Sequence, residues 1–109
     1  EKKLLEGLKT GAAGCISATT NVTGSLAKKV FDDFHKSGNS PDNARLKDLR
    51  TVFDDTGNLI SALHTYKSLE NKNYENMLPP LEILSEEKKN EMIKKLKDLN
   101  FLPKKNIAA

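Results

Sequence analysis

Apolar residues recur at three- and four-residue spacings over most of this chain, and the exception lies near its start. Leu4, Leu5 and Leu8 share one face of a helix. Thr10 and Gly11 close it, and Gly11 suits a left-handed C-cap because it has no Cβ to clash. The run that follows, AAGCISA (12–18), has no helical period. It is short, apolar or small throughout, and preceded by a tight turn. It therefore reads as a buried strand of the kind found in parallel sheets, which are covered on both faces. Helix, turn and buried strand make the αβ half of a βαβ repeat.

Helical patterning then resumes. After NVTG (21–24) a helix is predicted with Leu26, Ala27, Val30, Phe31 and Phe34 on its inner side. SGNSP (37–41) is a loop by its turn residues. Asp42 caps or opens a further helix with Leu46, Leu49, Val52 and Phe53 on its apolar face. Gly57 and Asn58 interrupt that pattern, and Leu59, Ile60, Leu63 and Tyr66 carry it on to about Leu69. Two adjacent prolines in MLPPLEIL (77–84) exclude helix and favour an extended strap. Ser85 is placed to cap a last helix whose first turn holds Glu86 and Glu87, acids facing the helix dipole. A reciprocal capping box is missing, since Lys88 stands where Glu or Gln would be needed. Met92, Ile93, Leu96 and Leu99 form the apolar side of this helix. Phe101 and Leu102 pack after it, Pro103 ends it, and residues 104–109 are expected to fray.

Composition changes this picture at three points. A chain 37% hydrophobic and 30% charged is globular rather than disordered. The net charge of +3 rests on lysines, all basic residues but Arg45 and Arg50, spread over helix faces. A nucleic-acid site would show an arginine cluster or a basic stripe interleaved with aromatics, so these lysines read as a solvated surface. Cys15 is the single cysteine, which rules out an internal disulfide or a cysteine metal cluster. Lying in the apolar run, with neither His35 nor His64 local to it, it reads as a small buried hydrophobe rather than a nucleophile. No run approaches the ~20 apolar residues of a membrane span, and no secretion signal is evident. A cytoplasmic protein without membrane, metal or cofactor is expected.

One strand alone leaves unpaired backbone groups on both edges, so the chain does not read as a complete fold. A helix already under way at Glu1, without cap or methionine, points the same way. The motif GCISATTNV (14–22) resembles the eighth barrel strand of the dihydrodipicolinate synthase and N-acetylneuraminate lyase family. LPPLEILSEEKKNEMIKKLKDLNF (78–101) is similar to that family's ending, a proline strap leading into a capped helix. The order of elements agrees over residues 4–102. The resemblance implies an α/β fold, the C-terminal part of a (β/α)8 TIM barrel, mostly helical in this stretch. Residues 1–36 would be the last α-β-α unit, with the eighth strand and helix, and 37–109 a three-helix extension. A whole barrel needs ~250 residues, so the chain would be about the last third of a subunit.

The same resemblance implies a class I aldolase chemistry on pyruvate or a 2-keto acid, in a subunit that assembles as a homotetramer. A lysine on the sixth strand forms a Schiff base with the keto group, a tyrosine on the fifth shuttles the proton, and both would lie upstream. Lys28, Lys29 and Lys67 fall on helix faces and do not replace that lysine. Ile16 matches the family position that touches bound pyruvate. Ala18 stands where sialic acid lyases usually carry a serine, and Thr19, like Ser17 and Thr20, could present a hydroxyl to the pocket if strand parity aims it inward. Asn21 reads as structural. NVTG keeps the N-x-x-G turn of the lyase branch, while Leu78 replaces an arginine common before the strap. Synthase, sugar-acid aldolase and hydratase-aldolase all remain open. The competing expectation is a free-standing helical interaction module in which 12–20 is a buried loop.

Overall fold

The computed structural model describes residues 1–103. Five α-helices and one 3-10 turn follow in order: α1 (Leu4–Lys9), α2 (Thr20–Ser37), α3 (Asn43–Asp54), α4 (Leu59–Ser68), the turn Lys72–Glu75 and α5 (Glu86–Asp98). The chain divides into two compact units, Glu1–Thr51 and Val52–Ala109.

In the first unit α1 packs on α2. Leu4, Leu5 and Leu8 bury with Ala27, Val30 and Leu46, and Leu26, Phe31 and Phe34 flank them half-exposed. Helix α1 ends as its sequence requires. Gly11 takes φ 100°, its N–H bonds the Leu8 carbonyl, and the Ala12 N–H reaches back to the Gly7 carbonyl. That pairing satisfies two carbonyls which a helix end otherwise leaves open. Gly38, at φ 80°, stops α2 in the same left-handed conformation. The loop after it is held by Ser40, whose hydroxyl donates to Asp33, and by Lys29, which pairs with both Asp33 and Asp42. The Ser40 hydrogen bond, helped by Lys29, keeps the Asp33 carboxyl below the usual carboxylate range.

In the second unit Phe53 meets Tyr66 edge-on at 5.7 Å, and Tyr66 stacks on Phe101 at 5.6 Å. The Tyr66 hydroxyl donates to the Phe101 carbonyl. Ser85 caps α5 by accepting from the Lys88 N–H, and Met92 and Leu96 are its buried residues. Asn100 at φ 57° ends α5 through paired bonds from Asn100 to Lys97 and from Phe101 to Leu96.

Four expectations are corrected. No strand forms among the described residues, and 12–17 have neither helix nor strand. They are exposed rather than buried apart from half-buried Ser17, Cys15 included, because this chain supplies no neighbouring strands to cover them. Helix α2 begins at Thr20, not after Gly24. The side chains of Thr20 and Asn21 bond the carbonyls of Ser17 and Ala18, which organises the first turn earlier than the apolar pattern suggests. Ile60 is exposed, and Ala62 takes a place on the inner face of α4. A 3-10 turn precedes the strap, which holds a cis peptide between Pro79 and Pro80, with the Leu81 N–H bonding the Leu78 carbonyl. The expected fraying of 104–109 lies outside the described residues.

Candidate functional site

The three residues singled out from the sequence do not share one surface. Ile16 stands fully in solvent at 106% relative exposure, and Ala18 is exposed. Thr19 is completely buried, and its hydroxyl finds no hydrogen-bond partner. Ala13, Gly14, Cys15 and Ile16 make no hydrogen bond to any described residue. Ser17 is the point where the segment is tied down.

That tie is a compact polar cluster within the first unit. The Glu1 carboxylate is fully buried, and its Oε2 accepts from the Ser17 hydroxyl at 2.5 Å and from Arg50 Nη1 at 3.2 Å. Its Oε1 accepts from the Thr23 hydroxyl at 2.9 Å. Arg50 Nη1 also donates to the Ser17 oxygen at 3.1 Å. A buried carboxylate is tolerated only when paired and hydrogen-bonded, and here both conditions hold. Glu1, Thr23 and Arg50 were not legible as a group, since Arg50 lies 49 positions from Glu1. The one available signal was Arg50 itself: an arginine in a lysine-rich chain, four residues after Leu46 and so on the buried face of α3.

Elsewhere the ionisable groups serve the surface. Lys28 pairs with Asp32 at 2.8 Å, and Lys29 is raised above its ordinary pKa by its bond to Asp42 and then by Asp33. Lys67 pairs with Glu70 and lies 5.5 Å over the Tyr74 ring. The His64 Nδ1 is 3.0 Å from the Tyr74 carbonyl, and His35 packs edge-on against Phe31 and Phe34. Among the described residues no group of three His, Cys, Asp or Glu side chains is placed to hold a metal ion. No described helix is long and apolar enough to cross a membrane.

The described residues thus hold a helical array, an apolar segment without partners, and a polar anchor where that segment meets α2. The model of the Dihydrodipicolinate synthetase family matches residues 1–99. No curated protein and no solved structure matches the chain. With nearly its whole length matched, and GCISATTNV and the proline strap in the family's order, the chain belongs to the dihydrodipicolinate synthetase family.

Proposed function

We propose that this chain is the C-terminal portion of a lyase or synthase that makes or breaks a C–C bond at the carbon next to the keto group of pyruvate or another 2-keto acid. The observation that carries the proposal is the exposed apolar run 12–17 inside a chain of a barrel family: it has the composition of a covered strand and nothing here to cover it. In the complete subunit, residues 1–36 form the last α-β-α unit of the barrel and 37–109 the helical extension. Pairing of the run with neighbouring strands brings Ile16 against the bound keto acid, with Ala18 and Thr19 at the rim of the pocket. The buried, unpartnered Thr19 hydroxyl gains a role only if such a neighbour or ligand reaches it. The subunit is cytoplasmic and assembles as a homotetramer.

The chemistry belongs to an upstream lysine. Its unprotonated amine attacks the keto carbon, water leaves, and the resulting imine accepts the electron pair released when a proton or a C–C bond at the adjacent carbon is lost. An upstream tyrosine carries that proton. Lys29, raised above its ordinary pKa by Asp42 and Asp33, is held charged and cannot start this sequence. Borohydride trapping with pyruvate, read by intact mass, tests the proposal. The complete subunit is expected to gain one adduct and the 109-residue chain none. A stoichiometric adduct on a lysine of this chain would overturn the upstream placement. An unmodified complete subunit would favour the helical interaction module.

A further inference from the structure

The polar anchor at Ser17 has a further consequence for the same reaction. We propose that Arg50 is a positioning residue for the keto-acid pocket: it fixes Ser17, and with it the adjoining Ile16 and Ala18, by pairing with the buried Glu1 carboxylate. The inference rests on the Schiff-base reading above.

Helix α3 sets this arginine among buried neighbours. Leu46, Leu49 and Phe53 are fully buried, and Arg50 lies between them on the same side with its side chain 23% exposed. A guanidinium so placed needs acceptors. It finds two with one nitrogen: Nη1 carries two hydrogens, and Glu1 Oε2 and Ser17 Oγ lie 3.2 and 3.1 Å away. The proton count agrees. Ser17 has one hydroxyl hydrogen, which goes to Glu1 Oε2, leaving its lone pairs to accept from Arg50. Carboxylate, hydroxyl and guanidinium close a three-membered hydrogen-bonded ring, and Thr23 fills the other carboxylate oxygen.

Among the described residues, Ser17 is the one residue of 12–17 with a side-chain hydrogen bond, and Ala13 to Ile16 make none. Removing the arginine takes the guanidinium from a buried carboxylate and cuts the tie between Ser17 and α3, leaving Ser17 held by its bond to Glu1 alone. Thr23 still reaches the carboxylate but does not touch Ser17. The position of Ile16 then relaxes, while the helices keep their own apolar contacts.

A purely structural residue would change how much protein is folded, not how tightly the folded fraction holds substrate. The experiment therefore uses the complete subunit in D2O with pyruvate, following deuterium entry into the methyl group by NMR as imine formation lets that carbon lose and regain protons. Arg50→Met is expected to raise the half-saturating pyruvate concentration about tenfold, the loss of a charge-assisted hydrogen bond. Arg50→Lys, which restores charge and donors but not the fork, should raise it only about threefold. A half-saturation unchanged in Arg50→Met, with only the rate per total protein reduced, overturns the inference. If Arg50→Met does not fold, Ser17→Ala decides by the same criterion, since it removes the link and keeps the ion pair. A wild-type subunit that exchanges no deuterium overturns the Schiff-base reading itself.

Discussion

Residues 12–17 and 76–85 both lack helix and strand, yet the structure treats them differently. The second segment is tied into its unit at Leu84, although Leu78 and Leu81 stay exposed. Leu84 is 8% exposed, and its N–H donates to the fully buried Thr65 hydroxyl at 3.0 Å, a hydroxyl that itself donates to the Ser61 carbonyl. The first segment, more apolar by composition, hangs in solvent from its anchor at Ser17. Hydrophobic residues alone do not fold a segment inward. Its backbone N–H and C=O groups must also find partners, and an irregular strap finds them on a helix side chain where a lone strand cannot.

The sharpest way to break this comparison is to remove apolar volume from each side of it. Leu84, the buried leucine of the strap, should cost about 2–5 kcal/mol as Leu84→Ala in urea unfolding of the 109-residue chain. Ile16→Ala should change stability by no more than about 0.5 kcal/mol. Comparable losses from the two variants would show that 12–17 is packed after all. Next comes the hydroxyl that holds the strap. Thr65→Val keeps the shape but leaves the Leu84 N–H without its partner, at a cost of about 1–3 kcal/mol. Hydrogen exchange should then speed up at the Leu84 amide, and an unchanged rate would argue that the strap is held elsewhere.

The smallest effect, absent at neutral pH, concerns Tyr66. Burial, with Glu70 nearby as a lesser cause, pushes its phenol up from 10.0 to about 12. The folded state therefore keeps this proton where the unfolded chain has lost it. Stability is fully present below about pH 10 and is lost as pH rises toward about 12. Unfolding measured across that window should show a steeper decline in the wild type than in Tyr66→Phe. Parallel declines would mean that Tyr66 titrates alike in both states.

Much of the helical architecture was legible because its causes are local. The Ser85 cap, the acids after it and the spacing of Met92 and Leu96 define α5 within a few turns of sequence. The start of α2 was hidden because side-chain bonds from Thr20 and Asn21 organise its first turn before the apolar pattern begins. The burial of 12–18 was overestimated for a different reason. Its composition suits a sheet interior, and composition says nothing of whether the neighbouring strands are present. At the site, Ile16, Ala18 and Thr19 could be named from the resemblance. The ring of Glu1, Ser17 and Arg50 could not, because it joins three distant positions that no periodicity connects.

The most extensive packing joins elements close along the chain: α1 with α2 in one unit, and α4 with the 3-10 turn and, to a lesser extent, with α5 in the other. Loop-closure entropy grows only slowly with length, about 0.6 kcal/mol for each doubling, and is smallest for such short connections. Local contacts of this kind belong to topologies that assemble in about microseconds to milliseconds, whereas strand pairing between distant segments is slower by orders of magnitude. The helices are thus self-starting, while the apolar run at 12–17 has no strand to pair with among the described residues.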